Sequence, residues 1–364
     1  MLSAGDDYPL HQRPEPIAFA GTDRNFYDRY FFNGQSPDGA LFFTAALGVY
    51  PHLNVMDAAF AVMDDRGQAS VLASRVLRHE RMDTRVGPIS VDVVEPLRRL
   101  KVRLADTEGL EADLEMEGLH FPIEEPRFTR RVHGRTLMDL TRMTQNVRWR
   151  GFLRRDGERR AVDGFLGTRD RSWGVRPVGA ADPQPPAPPT VPQFFWLWCP
   201  LHFPGVSLFA HTNDDAAGIP WNRSAVLVDH ATGQVRHLVE PRFALDLEPG
   251  TRQVAHARLE ARMPDEGDLE AELTPLRHFR MHGLGYGHPT RGHGTFHGDL
   301  SVVTERHAPH ALDPARPVNA HVQTLVAARL RRADGTSCDG QGVLEQLIIG
   351  PYAPLGLKEL FDLA

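Results

Sequence analysis

Turn residues recur along this chain at short, even intervals, and that punctuation constrains its fold more than any other feature. Asn33-Gly34 and Pro37-Asp38-Gly39 are turn signals. Residues 41–50 are apolar and stop at Pro51; residues 55–63 are apolar and stop at Asp64-Asp65-Arg66-Gly67, and the run 69–76 follows. Residues 88–94 and 97–104 alternate, with Leu100, Val102 and Leu104 on one face and Lys101 and Arg103 on the other. Asp106-Thr107-Glu108-Gly109 turns the chain into 110–119, where Leu114 and Met116 keep the two-residue period. The 32 glycines and 29 prolines supply the breaks and favour many short strands over long helices. Evenly spaced strands joined by turns are the pattern of an antiparallel barrel or sandwich. One helix is predicted over 135–143, from Leu137, Leu140 and Met143 at helical spacing, as a lid or plug at a barrel end. A second, amphipathic helix is predicted to close the chain at 357–363.

A length of 364 residues suits two domains, each large enough to bury its own core. Residues 178–192 contain six prolines, an extended and semi-rigid composition that marks the boundary. The expected organisation is an N-terminal arm over 1–30, a first β-domain over 31–177, the linker 178–192 and a second β-domain over 193–364. The halves share a grammar. Leu110-Glu111-Ala112-Asp113-Leu114 matches Leu269-Glu270-Ala271-Glu272-Leu273; Gln145 with the hairpin 153–157 matches Gln323 with 330–335; Phe42-Phe43 is set against Phe194-Phe195. A duplicated β-domain explains these echoes economically.

The formal net charge of −6 argues against nucleic acid as a partner. Two cysteines, Cys199 and Cys338, point to a reducing compartment, and a cytoplasmic location is expected. The acidic stretch 1–7 is no signal peptide. The most apolar window, 190–210, is broken by Pro192, Pro200 and Pro204, so no membrane span is expected.

Chemistry is concentrated in Gly167-Thr168-Arg169-Asp170-Arg171-Ser172-Trp173-Gly174-Val175-Arg176-Pro177. Read as a strand, it places Thr168, Asp170 and Ser172 on one face and Arg169, Arg171 and Trp173 on the other. If Asp170 faces a cavity, desolvation raises its pKa and suits it to be a general acid. If Arg171 and Trp173 face it, they line a ligand and Asp170 is their structural counter-ion; a purely structural arginine–aspartate clamp is the third option. The run 278–297 carries His278, His282, His288, His293 and His297, with Tyr286 among glycines. Its spacing fits no helical metal pair and no cysteine or carboxylate set accompanies it, so no metal is expected. As a loop it would offer Tyr286 and His288 for proton transfer and His293 for binding. Trp196, Trp198 and His211 form a candidate aromatic wall, with core packing as the plainer reading. Gly283-Leu284-Gly285-Tyr286-Gly287 lacks the strand, helix and acid of a dinucleotide loop.

The motif 167–177, the linker behind it and the ending Glu345-Gln346-Leu347-Ile348-Ile349-Gly350-Pro351 resemble the two-domain lipocalin-like family of hydroxyneurosporene synthase, a carotenoid hydratase, and AttH-type proteins. The resemblance implies a mainly β fold of two tandem lipocalin-like antiparallel β-barrels with a few short helices. It also implies an apolar ligand cavity and cofactor-independent acid catalysis on an isolated alkene. Asp170 and Trp173 match the motif, while Arg169 and Arg171 depart from it and suit a ligand with a polar or anionic group. The expected function is hydration, isomerisation or cyclisation at a C=C bond of an isoprenoid, steroid-like or polyketide-like molecule, with no cofactor. A non-catalytic carrier of the same ligands is the alternative. The expected partner is an apolar small molecule, and a homodimer is left open.

Overall fold

The computed structural model describes residues 2–9, 23–80, 82–132, 134–183 and 192–364. Residues 10–22 of the N-terminal arm and the centre of the proline-rich linker (184–191) lie outside the described residues. The protein is mainly β, with two nearly closed antiparallel barrel-like sheets and only short 3-10 turns among the described residues. The chain divides into two compact units. Unit 1 comprises Met1–Ala181 and His282–Ala311; unit 2 comprises Asp182–Met281 and Leu312–Ala364.

Unit 1 contains β1 (Phe26–Gln35), β2 (Phe42–Tyr50), β3 (Val55–Asp64), β4 (Gly67–Val76), β5 (Arg85–Val86), β6 (Ile89–Glu95) and β7 (Arg99–Thr107). It continues with β8 (Leu110–Gly118), β9 (Ile123–Glu124), β10 (Phe128–Val132), β11 (Arg135–Arg155), β12 (Glu158–Ala161) and β13 (Leu166–Val175). Unit 2 contains β14 (Phe194–Phe203), β15 (Val206–Asp214), β16 (Pro220–Asp229), β17 (Val235–His237), β18 (Val239–Leu247), β19 (Val254–Met263) and β20 (Gly267–Arg280). The chain then returns to unit 1 for β21 (Leu300–His307) before β22 (Val322–Arg332) and β23 (Ser337–Ile349) finish unit 2.

The sheet of unit 1 runs β21-β4-β3-β2-β1-β13-β11-β8-β7-β6-β5, and that of unit 2 runs β17-β16-β15-β14-β23-β22-β20-β19-β18. From β4 to β6 the first order matches the second strand for strand. Leu110–Leu114 and Leu269–Leu273 therefore open equivalent strands, β8 and β20. Phe42-Phe43 and Phe194-Phe195 are not equivalent, because β14 corresponds to β1. Two-residue alternation makes each core. Leu100, Val102, Leu104, Leu110, Ala112, Leu114 and Met116 all point into the first, while Leu197, Cys199, Leu201, Leu259, Ala271 and Leu273 point into the second. Cys199 and Cys338 are unbridged. No helix of the described residues is long and apolar enough to cross a membrane.

Neither predicted helix forms. Residues 135–143 open the long strand β11, which pairs with β10 and with β13. Two flanking strands offer those residues a full ladder, whereas a helix this short has little stability of its own; Leu137 stays exposed. At 357–363 the carbonyls a helix would need go elsewhere. Arg252 Nε donates to Asp362 O at 2.7 Å and its Nη2 to Glu359 O at 3.0 Å.

At the end of β4, one side chain ties the strand to the segment that leads into β5. Arg75 of β4 donates to Arg85 O at 2.7 Å, to Asp83 O at 2.8 Å and to Val76 O at 3.0 Å, and is itself buried.

Candidate functional site

The two faces of β13 have separate fates. Arg169 lies opposite Phe32 and Gln145, and Arg171 opposite Tyr30 and Met143. With Tyr30 and Phe32 they face the barrel interior. Both arginines are fully buried and bound by the start of the chain. Arg169 pairs with Asp7 and donates to Gln145 Oε1 at 2.7 Å. Arg171 pairs with Asp28 and donates to Tyr8 O at 2.8 Å, with the Tyr30 ring 4.1 Å away and Trp173 at 5.9 Å. The pair thus holds residues 7 and 8 against the barrel. Gly167 lets the strand reach this position, since a Cβ there would sit 2.0 Å from Asn33 O and 2.6 Å from Trp149 Nε1.

Asp170 is on the opposite face. Its Oδ2 lies 3.6 Å from Arg142 Nε, and Arg142 also donates to Glu125 at 2.6 and 2.9 Å. Two carboxylates share one guanidinium.

On that same non-core face of the sheet, residues 282–299 cover part of β1, β2, β3 and β4. Asp57 of β3 points to this side, because its neighbours Met56 and Ala58 point into the core. Arg29 of β1, Tyr50 of β2 and Asp57 meet there. Arg29 Nη1 donates to Tyr50 Oη at 2.9 Å and to Asp57 Oδ1 at 3.4 Å, and Nη2 donates to Leu284 O at 3.2 Å. Asp57 Oδ2 accepts from Gly294 N at 2.9 Å. Gly294 has φ +75°, and a Cβ there would meet Leu53 at 2.7 Å, so only glycine brings this amide so close. Tyr286 lies under Arg29, 5.1 Å from guanidinium to ring centroid, with Arg176 at 5.6 Å and the His293 ring edge-on at 4.3 Å. His293 Nε2 is 3.0 Å from Leu284 O; a carbonyl only accepts, so Nε2 carries the proton.

Asp57 and His297 line one cavity of about 20 Å³, with Ala59, Leu72, Leu284 and His293 among its other walls. That volume admits a water-sized group. Burial raises the Asp57 pKa above the usual carboxylate value, against the opposing pull of Arg29 and the Gly294 amide. Burial, joined by Arg291, lowers the His297 pKa below that of a free imidazole. Tyr50 is pushed up, again by burial first and Asp57 second.

The structure therefore brings Tyr286 and His293 together and leaves the other sequence candidates apart from them. His288 instead meets Glu305, 2.9 Å from Nε2 to Oε1. Trp196, Trp198 and His211 belong to unit 2, on the non-core face of β14 and β15. There Trp196 Nε1 donates to Glu345 Oε1 at 3.1 Å, the His211 ring lies 5.9 Å from that of Trp196, and Glu345 also takes His321 and Gln323. Arg29, Tyr50 and Asp57 are absent from the sequence candidates, and His297 is there only as a member of the histidine-rich run. The available signal was Asp57, the lone charge between Val55 and Met63.

Three solved structures share the fold over nearly the whole chain. AttH of Nitrosomonas europaea is 15% identical, with 94% of this chain and 98% of that one covered and a TM-score of 0.54. Kievitone hydratase of Nectria haematococca is 12% identical, covering 94% and 92%, also at 0.54. CghA in complex with Sch210972 is 12% identical, covering 94% and 95%, again at 0.54. No curated protein sequence matches the chain. A sequence profile matches residues 2–358, and the chain accordingly belongs to the family of unknown function DUF8625.

Proposed function

We propose that this protein is a cofactor-independent acid/base enzyme acting at a C=C bond of an apolar small molecule, by hydration, isomerisation or cyclisation. The observation that carries the reading is the pair Asp57 and His297. Both line one cavity, and burial displaces their pKa values toward the neutral forms, the acid up and the base down. Groups pushed apart in this way mark acid and base assignments. Asp57 takes the acid role expected of Asp170 because Asp57 lines the cavity beside His297. The fold shared with kievitone hydratase supports the hydration form of this reading.

In the hydration form of the reaction the water-sized cavity holds the attacking water, and the Asp57 carboxyl gives its proton to one carbon of an alkene brought against it from outside. Water adds its oxygen to the other carbon and loses a proton to His297, and that proton returns to the Asp57 carboxylate through solvent. Arg29 fixes both Asp57 and Tyr50. The test incubates the protein with isoprenoid, steroid-like and polyketide-like alkenes in ¹⁸O-water and reads products by mass. Label incorporation is expected, with Asp57→Asn lowering turnover by about 100-fold or more. Unchanged turnover in Asp57→Asn refutes the acid assignment. Ligands that bind and are recovered unaltered make the protein a carrier.

A further inference from the structure

The return of the chain to unit 1 assembles a second cluster. β21 pairs with β4 along its whole length, placing Glu305 opposite Ser70 and His307 opposite Gln68, two residues apart on one face. His282 reaches them from the 3-10 turn Met281–Leu284. The neighbouring Gly283 rests directly on β4, where a Cβ would lie 2.3 Å from Gln68 Nε2 and 2.6 Å from Ser70 Oγ. Imidazole nitrogen and carboxylate oxygen atoms of His282, Glu305 and His307 all lie within 4.8 Å of one another. Glu305 Oε2 is 3.6 Å from His307 Nε2, and the His282 and His307 rings are 5.2 Å apart, edge to face. His307 Nε2 is shielded from solvent and makes no hydrogen bond.

We propose that His282, Glu305 and His307 form a binding site for a divalent cation of the zinc class. Two imidazoles and a carboxylate are a known three-ligand set for zinc, whose bonds of about 2.0–2.2 Å hold donor atoms roughly 3.3 Å apart. The 3.6 Å separation is already close to that, and the other pairs, all within 4.8 Å, need side-chain movements of at most about 1.5 Å to reach it. His288 takes the supporting role. Its Nδ1 accepts from Thr290 N at 3.2 Å and Arg291 N at 2.8 Å, and its Nε2 faces Glu305 Oε1 at 2.9 Å. With Nδ1 accepting, a neutral His288 carries its proton on Nε2 and donates it to the ligating carboxylate, the outer-shell contact that orients metal ligands. His288 is a positioning residue here, not a ligand. The set leaves one tetrahedral position for water or another small ligand. This site is separate from Asp57 and does not depend on the acid/base reading.

The spacing rule applied to the histidine run fails because two of the three ligands lie beyond it, on β21. The test uses full-length protein without a histidine tag, stripped with chelator and titrated with zinc chloride by calorimetry, with cobalt absorption reporting coordination geometry. One ion per chain and a metal-dependent rise in Tm are expected. His307→Asn and Glu305→Gln should each weaken binding by about 100-fold or more, and His288→Gln by about tenfold. His310→Asn, outside the cluster, should bind as wild type does. Absence of saturable one-to-one uptake by the wild-type chain overturns the site, whether or not the variants fold. Undiminished binding by folded His307→Asn and Glu305→Gln overturns it equally.

Discussion

Asp57 and His297 owe opposite shifts to one cause, since removal from water disfavours whichever form is charged. The consequence for activity has a definite sign. His297 must be neutral to take a proton, so kcat/KM should rise with pH through its lowered pKa. Asp57 must be protonated to give one, so kcat/KM should fall as pH passes its raised pKa. A pH–rate series on the wild type and on His297→Gln checks this. The variant should lose the acidic limb and keep the alkaline one, and an acidic limb that survives unchanged removes His297 from the mechanism. The sequence draws attention to Asp170 and not to Asp57, the acid proposed above, for a physical reason. Asp170 sits in a dense polar motif, but density of charge is what an ion-pair network looks like as well. Asp57 is conspicuous only by its apolar neighbours, and that the covering amide belongs to Gly294 is invisible in a linear reading.

At the scale of elements, strands with one wet face and one dry face were legible because their period is two. β8 follows its sequence alternation throughout, as do residues 99–104 of β7, 257–263 of β19 and 269–273 of β20. The start of β11 was not, because Leu137, Leu140 and Met143 fit a helix in isolation and only the neighbours β10 and β13 decide otherwise. The tie between β4 and the segment 83–85 was equally hidden, since it depends on one arginine meeting the carbonyls of Asp83 and Arg85. Arg75→Met should cost about 1–3 kcal/mol, because it strands part-buried acceptors, and should lower Tm by roughly 2–12 °C for a unit of this size. Arg75→Lys should recover only part of this, as a single ammonium cannot reproduce the planar fork. Thermal melts of both, with hydrogen exchange at Thr84–Val86, test the clasp; a wild-type melt for Arg75→Met excludes it.

For the molecule as a whole, acid sensitivity should be traceable to His278 in unit 2. Burial first, and Arg280 second, lower its pKa from 6.5 to about 4. The ring is 23% exposed and hydrogen-bonded to Thr324 Oγ1 at 3.0 Å. Between these two pKa values the unfolded chain binds the proton more readily, so this contribution is complete above pH 6.5 and is lost as pH falls toward 4. The loss amounts to roughly 2–3 kcal/mol. Denaturant melts between pH 6.5 and 4 should show His278→Gln losing that much less stability than wild type, and NMR should find the imidazole still neutral at pH 5. Two similar barrels were legible from repeated short motifs. That one of them borrows a segment from within the other's sequence was not, because no local pattern records which sheet edge a strand will join.

That borrowed segment, His282–Ala311, has a meaning for synthesis. On a ribosome, the first barrel emerges with β4 unpaired along its outer edge and Asp57 still awaiting the Gly294 amide. Most of the second barrel must be translated before β21 arrives. An unpaired strand edge is a template for pairing with other chains, so the nascent protein carries its greatest aggregation hazard during that interval. A gene fragment ending in the proline-rich linker would encode a barrel permanently held at this stage.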